Sequence, residues 1–185
     1  MLAASARVFI EVGFEAATTN RIAAEAGVSV GSLYQFFPNK AALLLALRRD
    51  FMARVHTALG EALTPEPALP LPDILDRVIA AFEDLDRANP GLLRLIMLSE
   101  GQVAAPKPDH EGVVRAITGH VEALLAVRAP RLDATRRSVV AALCVHLSDG
   151  LFLRLGPAGQ GFDPALVREV KAALLAYLTP LTEKE

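Results

Sequence analysis

The chain has no tryptophan, two tyrosines and one cysteine, and aromatic residues make up only 5% of its 185 positions. An apolar fraction of 52% carried mainly by Ala, Leu and Val, with so few rings, points toward helix and away from sheet. Cys144 cannot close an internal disulfide, and its place between Leu143 and Val145 marks it as a buried, inert thiol. Uninterrupted apolar runs reach only seven residues, as at 41–47 and 139–145, against about 18–20 for a helix that crosses a bilayer. No membrane partner is expected. The chain does not open on a basic stretch followed by a short apolar run and a small-residue cleavage site, so the expected location is the cytoplasm. A large excess of one charge is missing too: the net charge is −2 with 22% charged residues, and apolar positions recur along every long segment, which excludes a disordered chain. The length allows one large domain or two small ones, domains clustering at about 100–150 residues.

What is present is a sequence of helices with clear punctuation. Leu2 to Val12 places Leu2, Ala6, Phe9 and Ile10 on one face, and Gly13-Phe14 reads as a left-handed stop followed by an apolar residue. Thr18-Thr19-Asn20 offers caps for a second helix, Arg21 to Ala26, which Gly27 ends after barely two turns. Ser29 caps a third, Val30 to Phe37, which Pro38 cannot continue, and Asn39 caps a longer one from Lys40 to about Leu63. Four prolines between Thr64 and Pro72 make a stiff connector. Beyond it, Asp73 caps a helix to about Ala88, Asn89-Pro90 starts another carrying Leu93, Ile96 and Met97, and Gly101 to Gly112 reads as loop. Three more helices follow, from about Glu111 or Gly112 to Val127, from Leu132 to Leu155 and from Pro164 to Leu178. The fold class is all-α, with about nine helices: an N-terminal three-helix helix-turn-helix domain and a C-terminal helical ligand-binding and dimerisation domain. The boundaries are 1–47 for the first and 48–185 for the second.

Two short helices joined by Gly27-Val28-Ser29 suit a helix-turn-helix, the second helix held at a steep angle to the first. Ile22, Ala26, Val28, Leu33 and Phe37 then face Phe9 and Phe14, and Val30, Gly31, Ser32, Tyr34 and Gln35 face outward. Those residue types suit a DNA groove: Gly31 and Ser32 admit close backbone approach, Gln35 can pair bidentately with adenine, and Val30 can touch a thymine methyl. Thr19, Asn20, Tyr34 and Lys40 are the candidate phosphate contacts, and Arg21 is a further candidate DNA-binding residue. The whole-chain charge hides a split. Residues 1–56 carry six basic and four acidic groups, the remaining 129 carry thirteen and seventeen, and no acid falls between Val28 and Lys40.

Phe9, Gly13-Phe14, Thr18-Thr19, Ile22-Ala23, Ala26-Gly27-Val28-Ser29, Gly31-Ser32-Leu33-Tyr34 and Phe37-Pro38-Asn39-Lys40, at these offsets, resemble the TetR family of transcriptional repressors over about residues 2–47. The resemblance implies an all-helical homodimer, an N-terminal domain that binds a palindromic double-stranded DNA operator, and a larger C-terminal domain that binds a small effector. It places base contacts on Val30, Gly31, Ser32 and Gln35 and phosphate contacts on Thr19, Tyr34 and Lys40. The sequence departs from the family pattern in three ways. It begins inside the first helix, where many relatives have a basic arm, so either the start is trimmed or the arm's contacts are missing. Val30 stands where a lysine is frequent, which flattens the expected salt dependence by about one unit of slope. Ala41 or Ala42 stands where an acid often supports the helix start, leaving Asn39 as the main cap.

For the larger half, periodicity supplies only buried faces; the family resemblance supplies a pocket. Its expected lining is drawn from Phe82, Leu85, Leu93, Met97, Ile117, Val121 and His146, the alternative being that these residues form plain packed core. Stripes at Val139, Leu143, Leu147, Gly150 and Leu151, and at Val167, Val170, Leu174 and Tyr177, are the expected dimer interface, an intrachain core being the alternative. Dimerisation would set two reading helices about 34–36 Å apart, one turn of the duplex. An enzyme is not expected. The four histidines, His56, His110, His120 and His146, have no metal-ligand spacing, no glycine-rich phosphate loop is present, and Cys144 has no activating partner in the sequence. Neither a catalytic site nor a cofactor is expected. The leading reading is a ligand-responsive regulator, a repressor in its simplest form, released by a small apolar effector. The alternative is a helical small-molecule-binding protein with weak or no specific DNA binding.

Overall fold

The computed structural model describes residues 1–66, 68–99, 108–151 and 161–182. Among these there are nine α-helices: α1 Leu2–Ala16, α2 Thr19–Glu25, α3 Val30–Phe36, α4 Lys40–Ala62, α5 Leu71–Ala88, α6 Leu92–Leu98, α7 Pro108–Arg128, α8 Ala134–Asp149 and α9 Pro164–Thr182.

The caps read from the sequence operate in α2, α3 and α4. The Thr18, Ser29 and Asn39 side chains each accept the backbone N–H three residues on, from Arg21, Ser32 and Ala42. Gly13 differs from the expected stop. Its φ of 79° is positive, but ψ is 161°, a mirror-extended conformation, and helical turns resume beyond it to Ala16. The helix is kinked there rather than ended.

Later boundaries shift for physical reasons. α5 starts at Leu71, with Pro72 and Asp73 inside its first turn, because first-turn N–H groups have no intrahelical acceptor and proline costs nothing there. Before α6, Pro90-Gly91 forms a tight turn: the Leu92 N–H donates to the Asn89 carbonyl at 3.0 Å, and Gly91 takes φ 83°, ψ −7°. Positive φ at the third turn position demands glycine, so the helix starts two residues later than Pro90 suggests. α7 starts at Pro108, before the expected Glu111 or Gly112. α8 starts at Ala134, capped by Asp133, and ends at Asp149, with Gly150 as C-cap; the expected extension over 152–155 lies outside the described residues, as does most of the expected loop over 101–112. α9 runs one turn past Leu178.

Apolar packing is continuous from head to body. Phe9 and Phe14, with ring centroids 5.5 Å apart, pack with Ile22, Leu33, Leu43, Leu47 and Phe51, and the same cluster continues through Leu92, Leu93 and Ile96 to Phe162. A second cluster joins Ile74, Leu124, Leu125, Val140, Cys144, Leu174 and Leu178. α4 spans both regions. Its Leu43, Leu44, Leu47 and Phe51 belong to the head core, and its far end reaches Leu59 and Leu63, so one rod of about 34 Å links the two.

Candidate functional site

The head presents α3 at the surface. Leu33 is fully buried and anchors the helix, while Gly31, Tyr34 and Gln35 are exposed and Val30 and Ser32 are half-buried. Val30 packs partly on the head core. The Ser32 hydroxyl lies 2.8 Å from that of Ser29 and so is shared with the cap. The Tyr34 and Thr19 hydroxyls meet at 3.0 Å, joining the start of α2 to α3 and bringing two expected phosphate contacts into one place. Asn20 is exposed beside them. A Cβ at Gly31 would meet only the Ser29 hydroxyl, at 3.8 Å, so this glycine leaves room outside the fold rather than relieving a clash within it.

Two of the expected DNA contacts are already engaged. Arg21 Nη2 donates to Glu11 Oε1 at 2.7 Å, and the Lys40 ammonium donates to the carbonyls of Phe14 and Glu15 at 2.9 and 2.8 Å, 4.7 Å from the Phe14 ring centroid. Lys40 thus caps the carbonyl end of α1, where the helix dipole favours a cation. One of its three N–H donors remains. Phe36, 66% exposed and one turn beyond Ser32, is a surface aromatic that residue types alone did not single out. Its signal was the unpartnered first ring of Phe36-Phe37, since only Phe37 packs on the core.

In the body, α4, α5, α7, α8 and α9 line an apolar cleft of about 100 Å³. Phe82, Ile117 and Val121 line it as expected from the sequence. Leu85, Leu93 and Met97 do not; they pack with the cluster running from the head, Leu93 fully buried. Nor does His146, whose side chain is 70% exposed and 3.5 Å from Asp149. The lining that residue patterns did not indicate includes Leu59, Leu63, Ile74, Val78, Cys144 and Leu174. Burial raises the Cys144 thiol to about 11, which suppresses its thiolate. Four polar residues interrupt the apolar wall: Arg128, Ser148, Asp149 and Thr182. Arg128 ends α7 and Asp149 ends the antiparallel α8, so the two charges mark opposite ends of the cleft.

The expected dimer residues separate into two sets. Val139, Leu143, Leu147 and Tyr177 are exposed, Val139 by 62%. Val167 and Val170 are half-buried against the core, and Leu151 and Leu174 are buried within the protomer. Gly150 is half-exposed, and a Cβ built there meets nothing within 4 Å. Among the described residues, no close helix approach inside the protomer accounts for that glycine.

Two family models match the chain: "Bacterial regulatory proteins, tetR family" over residues 1–47 and "Tetracyclin repressor-like, C-terminal domain" over residues 70–178. The nucleoid occlusion factor SlmA of Pasteurella multocida (strain Pm70) is 30% identical over 151 residues, 78% of this chain and 74% of that protein. Among solved structures, a TetR-family transcriptional regulator from Streptomyces coelicolor superposes with a TM-score of 0.70 at 28% identity, covering 98% of this chain and 95% of that one. A bacterial regulatory protein in the tetR family from Rhodococcus RHA1 shares the fold, with a TM-score of 0.66 at 23% identity over 94% and 92% of the two chains. The chain belongs to the TetR family of bacterial transcriptional regulators, a family of DNA-binding proteins that dimerise.

Proposed function

We propose that the protein is a cytoplasmic homodimeric repressor that holds a palindromic operator with two copies of the head and leaves it when a small, largely apolar effector fills the cleft. The observation that carries this reading is the placement of α4: Leu59 and Leu63 line the cleft, while Leu43 and Leu47 of the same rod sit in the head core. A ligand that spreads the cleft acts directly on the helix that carries the reading surface. It shifts the equilibrium only as far as its affinity differs between the two arrangements. Charges at both ends of an apolar wall favour an elongated effector with polar termini. The exposed stripe Val139, Leu143, Leu147 with Tyr177 supplies the apolar surface for a partner copy, such exposed apolar runs being uncommon on monomers.

A mobility-shift assay with the protein's own upstream DNA tests the reading, followed by titration with compounds that raise its melting temperature. A sequence-selective, salt-sensitive complex that such a compound dissolves is the expected result; no selective complex, even against randomised DNA, sinks it and leaves a helical small-molecule-binding protein. A second reading, a role in nucleoid occlusion, is favoured by the 30% identity to a protein of that name, which extends well past the 47-residue head. Deletion of the gene that leaves neighbouring transcription unchanged but disturbs nucleoid occlusion would select it.

A further inference from the structure

The fold brings together two histidines that lie 64 residues apart in the chain. His56 on α4 and His120 on α7 are both half-buried, with their Nε2 atoms 3.3 Å apart and ring centroids at 5.1 Å. We propose that this pair is a binding site for a single divalent transition-metal ion of the zinc, nickel or cobalt class, clasping α4 to α7.

The separation is what such an ion requires. With metal–nitrogen bonds of 2.0–2.1 Å and tetrahedral angles, two imidazole nitrogens on one zinc lie about 3.3–3.4 Å apart. The observed distance meets that with no movement of either helix. Imidazole is the ligand that suits these borderline ions, whereas magnesium and calcium take oxygen. The two histidines come from different helices, α4 and α7, so an ion held between them joins the elements directly.

Gly60 provides the second observation. It lies four residues after His56, inside α4, where glycine costs about 1 kcal/mol relative to alanine. A Cβ built there would come within 3.0 Å of His120 Nε2 and 3.2 Å of its Cε1. The bare backbone at Gly60 therefore gives the His120 ring its seat and keeps the side of Nε2 open. No third His, Cys, Asp or Glu completes a protein ligand set among the described residues, so the remaining coordination positions fall to water or to a small exogenous donor.

The site differs from the cleft. Neither histidine lines the cleft, yet Leu59 and Ile117, which do, neighbour them on the same two helices. An ion at this clasp resists any separation of α4 from α7, so it is a second input on the rod that carries the head.

The test uses the full-length, tag-free protein and its His56→Ala, His120→Ala, Gly60→Ala and His146→Ala variants. Zn2+, Ni2+ and Co2+ are titrated by calorimetry, with Co2+ absorption and imidazole 15N NMR reading the ligating nitrogens. Expected is one equivalent per protomer, shifts confined to the Nε2 of His56 and His120, and at least tenfold weaker binding in both of those variants. Gly60→Ala should also weaken binding while leaving helicity intact, and His146→Ala should bind as the wild type does. No uptake by the wild type, or uptake that survives both His56→Ala and His120→Ala, overturns the proposal. So does a result in which those variants alter thermal stability but the wild type takes up no metal, which would reduce the pair to a hydrogen bond.

Discussion

Gln35 is exposed on α3 with an amide that matches the two major-groove groups of adenine. Gln35→Ala should lose about 1–3 kcal/mol of discrimination at one base pair while the unfolding curve stays in place. Selection from randomised DNA checks this, since the variant's consensus should be relaxed at that position in each half-site. Cys144 makes the opposite kind of prediction. Its folded-state thiol is raised to about 11 from 9.0, so native protein holds the proton more tightly than the unfolded chain. That contribution to stability is complete below about pH 9 and declines as pH rises from 9 toward 11. Alkylation at pH 8 should be slow until denaturant is added, and Cys144→Ala should flatten the alkaline limb of the stability profile. Residue types in the sequence revealed both groups. They did not reveal what Lys40 does, because its ammonium reaches carbonyls 25 and 26 residues back along the chain, which local spacing cannot show. Nor did they reveal that His146, its side chain 70% exposed, turns away from the cleft, for a related reason: a polar residue in an apolar helix has no assigned direction until the neighbouring helices are in place.

The elements were legible where backbone chemistry is local. Thr18, Ser29 and Asn39 cap the helices they precede because an N-cap needs only its own side chain and the next three residues. Boundaries in the body moved where two local signals competed, as at Pro90-Gly91, where turn chemistry overrode the helix-start signal of Asn89-Pro90. Gly13 belongs to this scale. Its conformation is one that essentially only glycine adopts, and no atom crowds a Cβ there, so a substitution is penalised by the backbone alone. Gly13→Ala should destabilise the chain by about 1–3 kcal/mol in urea unfolding, with no change in the slope of the transition. α8 shows the limit of a stripe argument. It has two apolar faces, Val139, Leu143 and Leu147 outward and Val140, Cys144 and Val145 inward, and period alone cannot say which of them a second subunit covers.

For the whole molecule, the outward face of α8 carries the prediction. Leu143→Glu with Leu147→Glu places two carboxylates on an exposed stripe, so the protomer should keep its helicity and melt cooperatively while sedimenting as a monomer. Operator affinity should fall by at least about 100-fold, because a single head retains only half of the contacts. Leu174→Glu should behave differently and unfold the protomer, Leu174 being 5% exposed inside the second core cluster. The cleft was not legible in advance beyond Phe82, Ile117 and Val121. Its wall is assembled from five helices, and residues such as Leu59 and Leu174 join it only through the way those helices cross.

The ion pairs of the head also bear on how binding to DNA responds to salt. Arg7 and Arg21 do not wait unpaired for phosphate; they bridge α1 to α2 through Glu25 and Glu11. When a phosphate takes Arg21 from Glu11, one cation leaves the DNA, but the abandoned carboxylate gathers another from solution. The net ion release is smaller than the number of arginine–phosphate contacts, and the complex should tolerate rising salt better than that number implies. Glu11→Gln abolishes the exchange. It should strengthen DNA binding at low salt, on any sequence, and steepen the dependence of log K on log salt by about one unit, as fluorescence anisotropy can measure. On this view the head's acids act as an internal competitor for the operator, holding back indiscriminate adhesion to the chromosome so that base contacts decide where the protein stays.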